Sequence, residues 1–151
     1  MFRIIFLGIE RVTTARPREL RRSMAFFSNR VVMNADDQNL AERQRVVCER
    51  ANTRPAYLQP TDRIAIGRDF DVTRHPINGL RHPAYGNMCG WNIWSGEVLS
   101  DDPDYFNVIC YEHLVAERTD WLQYLALPAG WRFLTAPGHE DIWFDQALFD
   151  L

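Results

Sequence analysis

His75-Pro76-Ile77-Asn78-Gly79-Leu80-Arg81-His82-Pro83-Ala84-Tyr85-Gly86-Asn87-Met88-Cys89-Gly90-Trp91-Asn92-Ile93-Trp94-Ser95-Gly96-Glu97 carries the densest pattern in the chain. Asn78-Gly79 opens it with a turn signal, because both residues tolerate positive φ. A loop rich in Pro, Gly and Asn follows and leads into Trp91-Asn92-Ile93-Trp94. The period of two sets Trp91 and Ile93 on one face of a strand, with Asn92 and Trp94 on the other. Each indole brings a large apolar ring and an N–H that wants an acceptor. Such a ribbon is the central strand of a small sheet or the wall of a recognition surface. Core packing stays open for Trp91, Trp131 and Trp143, whereas Trp94, opposite Trp91, is expected to stand away from the core.

Upstream, Asn34 is a helix cap with Asp36 and Asp37 in the first turn. Leu40, Val47, Cys48 and Ala51 form the inward stripe of that helix. Arg63-Ile64-Ala65-Ile66-Gly67 is a short strand, and Arg68 to Arg74 a polar connection. Downstream, Ser95 to Tyr105 is an acidic loop. Phe106 through Arg118 reads as a helix, with Ile109, Cys110, His113 and Leu114 on one side. Trp121 to Leu127 continues as a second short helix that Pro128-Ala129-Gly130 stops. Trp131 to Thr135 and Asp141 to Asp145 are strands joined by a hairpin-like connection, Ala136 to Glu140. Of the last residues, Leu148 or Phe149 docks. The elements sum to an α+β fold: a small antiparallel sheet with helices packed on one face.

The 151 residues, 46% hydrophobic and 13% aromatic, suit one folded domain of normal core size. All 17 basic residues are arginine, and the net charge of −3 hides a gradient. Residues 1–33 carry a balance of +5. From Ser95 onward, eleven acids face only Arg118 and Arg132, a balance of −9. A half this acidic repels nucleic acid and steers a basic partner. Three cysteines without CxxC spacing make neither a disulfide framework nor a zinc site, and they suit the cytoplasm. The apolar start, Met1 to Ile9, is too short to span a membrane and lacks signal-peptide features. Residues 1–33, with an Arg-rich amphipathic segment from Arg16 to Phe27, are expected to be an extension outside the domain, which runs from 34 to 151.

Four histidines invite an acid–base or metal reading. Adjacent helical residues point apart, so Glu112 and His113 do not chelate as a pair. HExxH, HxH and paired CxxC spacings are absent, as are a nucleophile elbow and a phosphate loop. No cofactor, metal or catalytic residue is assigned. The alternative, a small metal-dependent or hydrolytic enzyme, would use His82, Glu97, His113 and His139. The aromatics travel with the acids rather than with a basic patch, which favours a protein surface over nucleic acid.

Five motifs in order carry a resemblance: Pro76 to Pro83 (PINGLRHP), Gly90 to Glu97 (GWNIWSGE), Leu99 to Phe106 (LSDDPDYF), Tyr124 to Leu134 (YLALPAGWRFL) and Glu140 to Asp145 (EDIWFD). Together they resemble the bacterial immunity-protein domain numbered thirty-three and its close relatives, found with polymorphic toxin and contact-delivered effector systems. The resemblance runs from about Asp36 to Leu151. It departs from the family pattern at Asn92, where an aromatic is expected, and at Asn107-Val108-Ile109-Cys110, where a proline and a histidine are expected. It implies an α+β fold and a non-catalytic role: binding a cognate toxin inside the producing cell. Neither nucleic acid nor a membrane is expected as a partner. Combined with the charge gradient, the resemblance points to a basic toxin met by Trp94, Glu97, Asp101, Asp102, Asp104, Glu140 and Asp141.

Overall fold

A computed structural model of the protein describes residues 2–5, 30–33 and 35–150. The chain divides into two compact units, Met1–Asn39 and Leu40–Leu151. In the first, β1 (Phe2–Ile5) pairs antiparallel with β2 (Arg30–Met33). The amphipathic segment from Arg16 to Phe27 and the Asn34 cap lie outside the described residues. The helix α1 (Ala35–Arg50) crosses the boundary between the units.

The second unit is built on six strands in the order β6-β3-β5-β4-β7-β8. They are β3 (Arg63–Gly67), β4 (Ile77–Arg81), β5 (Met88–Ser95), β6 (Phe106–Cys110), β7 (Trp131–Ala136) and β8 (His139–Phe144). The α+β class holds, but the sheet is mixed rather than antiparallel, because β3 runs parallel to β5. The chain leaves β3, forms β4 one place beyond, and returns as β5 between them. That order sets β3 and β5 in the same direction.

Three other expectations are corrected. Asn78-Gly79 is not a turn but the middle of β4, opposite Trp94 and Ile93. Asn78 satisfies its side chain by donating to the carbonyls of Pro76 (3.2 Å) and Gly96 (2.9 Å). Gly79 is there for space: a Cβ would lie 2.2 Å from Cε1 of Phe133. Phe106 to Arg118 is not one helix. Phe106–Cys110 forms β6 on β3, and only α2 (Tyr111–Val115) is α-helical. The run Phe-Asn-Val-Ile-Cys is aromatic and β-branched, and its fit to a helical stripe is overridden by the free edge of β3. Cys110 therefore ends a strand instead of lining a helix. The segment expected as the second short helix is a 3-10 turn, Asp120–Tyr124.

Register separates the sides of the sheet. Trp91, Ile93, Ile77 and Phe133 point to the side whose buried cluster also holds Leu40, Val47 and Cys48 of α1, Leu122 and Tyr124 of the 3-10 turn, and Leu125 just after it. The stripe foreseen on α1 is thus interior, and burial pushes the Cys48 thiol up to about 11. Gln44 joins the stripe, donating from Nε2 to the Tyr111 hydroxyl (3.1 Å) and the Leu122 carbonyl (3.0 Å). The Trp91 ring meets Phe133 edge-on at 5.6 Å, and its N–H donates to the Leu125 carbonyl at 3.0 Å. Arg81 is buried on this side, donating to the carbonyls of Cys89, Ala56 and Leu127. Leu80, Trp94, Tyr105 and Leu148 form a smaller cluster with Phe106 on the other side.

Candidate functional site

One row of residues crosses the sheet: Ser95 on β5, Ile77 on β4, Thr135 on β7 and Glu140 on β8. The acidic loop leaves β5 at this row, and the β7–β8 turn lies just beyond it. The two acidic stretches picked out from sequence therefore share one end of the sheet. Three strand spacings, about 14 Å, separate the start of the loop from Glu140. A hollow of about 450 Å³, lined in part by Val72, His75, Ile77, Trp121 and Pro137, opens at the same end.

Glu97, Asp101, Asp102 and Asp104 are exposed. Their loop is held by its own backbone: Asp102 accepts from the Asp104 N–H at 2.9 Å, and the Ser100 hydroxyl accepts from the Asp102 N–H at 3.2 Å. Arg68 grips the Asp104 carbonyl. The loop ends on Tyr105, whose ring is buried and whose hydroxyl donates to Asp69 at 2.7 Å. Burial first, and then that bond, push the Tyr105 hydroxyl up to about 12. The bond from Tyr105, followed by that from Arg74, holds the Asp69 carboxyl below its ordinary value.

Trp94, expected to stand away from the core, is 5% exposed. It does lie on the face opposite Trp91, but Tyr105, Leu80 and Leu148 cover that face. Its Nε1 has no hydrogen-bond partner among the described residues. The ring therefore belongs to the buried cluster that also holds Tyr105, the residue on which the acidic loop ends.

Glu140 is engaged within the fold. Arg50, at the end of α1, meets it at 2.7 and 3.1 Å, and the Tyr124 hydroxyl donates to it at 2.6 Å. The Arg50 bonds hold the Glu140 carboxyl below the usual carboxylate range against the opposing pull of burial. Burial, then the bond to Glu140, push the Tyr124 hydroxyl up to about 12. Asp141 faces His139 at 3.1 Å, both exposed. Farther along the hairpin, Arg132 pairs with Asp145 at 2.8 Å and lies over the Trp143 ring at 5.4 Å.

The residues of the enzyme alternative do not converge. His82 follows β4 at the far end from Glu97, roughly 17 Å along the strand from the Ile77 row, and its Nδ1 lies 3.1 Å from the Leu148 carbonyl oxygen. His113 lies in α2 after β6, and His139 on β8, at opposite edges of the sheet. Among the described residues no group of three or more His, Cys, Asp or Glu is placed to hold a metal ion. No helix among them is long and apolar enough to cross a membrane.

Sequence reasoning missed the aromatic group at the other end of the hairpin. Phe144 meets Trp131 edge-on at 5.8 Å and lies 6.1 Å from Phe149. The signal was present in Trp143-Phe144 and Phe149, but only the fold brings the C-terminal turn back onto β7 and β8.

Comparison with family models matches the Imm33-like domain over residues 43–145. That span holds all six strands of the sheet and the last two turns of α1. Neither the comparison with curated proteins nor that with solved structures gives a match.

Proposed function

This chain belongs to the Imm33-like domain family, and from that premise we propose that it is an immunity protein, a non-catalytic binder that neutralises a cognate bacterial toxin. The observation that carries the reading is the family match across the whole six-stranded sheet. Charge supports it. The last third of the chain has a balance of −9, and a field of that sign speeds capture of a cationic protein. The toxin-facing surface is the end of the sheet where Glu97, Asp101, Asp102 and Asp104 project and Glu140 and Asp141 lie nearby. Trp94 contributes through the buried cluster it shares with Tyr105. The neighbouring hollow gives this surface relief for a partner side chain. The binding unit is the 34–151 domain, acting in the cytoplasm of the producing cell.

The test is to read the genes that flank this one and to co-express any toxin-domain protein found there with this chain. Growth should be restored by the chain, and the purified pair should form a one-to-one complex. Continued toxicity together with no complex by calorimetry would overturn the reading.

A further inference from the structure

β8 is the last strand of the sheet, and five of its six residues are exposed. The connection Pro137-Gly138 sets Ala136 opposite His139, with Gly138 at φ +75° as the turn requires. Beyond the strand, the Asp145 N–H donates to the Gly130 carbonyl at 2.7 Å. Hydrogen-bonded pairs alternate along an antiparallel ladder. Asp145, Trp143, Asp141 and His139 therefore turn their peptide groups toward β7. The N–H and C=O groups of Glu140, Ile142 and Phe144 point away from the sheet, along its edge.

The opposite edge gives a contrast. There the Arg68 N–H donates to the Tyr105 carbonyl and the Tyr111 N–H to the Asp62 carbonyl, both at 2.8 Å. The same alternation turns Phe106, Val108 and Cys110 outward. Of these only Val108 has an exposed side chain. β8 instead has Trp143 at 39%, Phe144 at 48% and, beside them, Phe149 at 41% exposure. Proteins ordinarily blunt an open edge lined with rings, and adding a partner's strand to such an edge is a common recognition mode.

Resting on the immunity reading above, we propose that β8 takes up an extended segment of the toxin as a seventh strand of the sheet. The segment is cationic where it passes Asp141 and apolar where it passes Trp143 and Phe144. Charge argues against a second copy of this chain as the occupant. Two-fold pairing centred on Asp141 sets that carboxylate against its own copy. Pairing centred on Ile142 sets Asp141 against Trp143 and Glu140 against Phe144 of the second copy. Pairing centred on Glu140 sets that carboxylate against its own copy, and centred on Trp143 it sets Asp141 against Asp145. Three of the four registers thus oppose like charges, which is unfavourable, and the one centred on Ile142 leaves Asp141 without a cation.

Amide hydrogen exchange on the full chain, free and with whichever flanking-gene toxin domain the co-expression test identifies, tests this. The expected result is new protection at Glu140, Ile142 and Phe144, with Phe106, Val108 and Cys110 unchanged. Phe144→Pro removes an outward N–H and should weaken binding about thirtyfold or more, while Val108→Pro on the other edge leaves affinity unaltered. If Phe144→Pro does not fold, the exchange pattern decides. A complex with protection elsewhere overturns strand addition and leaves toxin binding standing. Absence of any complex with the wild-type chain removes both. A free chain that dimerises with protection at these three amides makes a second copy the occupant and overturns the proposal.

Discussion

In the loop after β5, Asp102 and Ser100 hold the backbone while Asp101 and Asp104 keep exposed carboxylates. On β8, Glu140 is gripped by Arg50 from α1 and Tyr124 from the 3-10 turn. The loop acids and Glu140 share a charge and an end of the sheet, but not a bonding state. A carboxylate already bonded to a guanidinium and a phenol projects little field and mainly joins elements of the fold. Exposed carboxylates on a braced loop project their field into solvent, where an approaching partner feels it. Net charge alone does not separate these cases; the bonding of each carboxylate does.

The largest effect should come from removing a ring of the cluster on which the loop ends. Trp94→Ala deletes a ring buried against Tyr105 and Leu148 and should destabilise the unit by roughly 3–5 kcal/mol. Urea denaturation reads this out, and a loss below about 1 kcal/mol would mean that the cluster does not depend on Trp94. Next, Asp101→Arg, Asp102→Arg and Asp104→Arg together should slow toxin association about ten- to a hundredfold at low salt and flatten its salt dependence. Stability should stay within about 0.5 kcal/mol. An unchanged on-rate in stopped-flow measurements would erase the distinction between the loop acids and Glu140.

Glu140→Gln should do the converse, costing about 1 kcal/mol of stability, discounted because Arg50 is half exposed, with the association rate nearly unaltered. A slowed on-rate in that variant would place Glu140 with the loop acids. The smallest effect is the pH dependence of this cost. The folded Glu140 carboxyl lies below its ordinary value of 4.5. Its contribution is therefore complete above that value and fades as pH falls through the folded pKa. The gap in Tm between wild-type and Glu140→Gln should be flat above about pH 5 and narrow below about pH 4.5. A gap that widens on acidification would reverse the assigned sign.

Local pattern was enough for the strand at Trp91 to Trp94, the stripe of α1, the β7–β8 hairpin and the docking of Leu148. Each is set by a short-range period or turn signal that the tertiary environment reinforces. It failed where long-range pairing outweighed local preference. Asn78-Gly79 has strong turn chemistry, but Phe133 needs the space above Gly79 and the Pro76 and Gly96 carbonyls accept from Asn78. Phe106 to Cys110 matches a helical stripe, yet the edge of β3 offers it a full ladder. Of the candidate surface, the loop acids were legible because a run of Asp and Pro is almost always solvated. The engagement of Glu140 was not, because Arg50 lies 90 residues away in the chain.

Composition, charge order and five motifs thus reach the α+β class, the acidic last third and the family without coordinates, since each depends on residue type and local spacing. Which ring is buried, which carboxylate is already paired and which peptide groups face outward from β8 depend on strand order and register. Those are set by contacts between residues far apart in sequence, where a shift of one position moves every side chain to the other face.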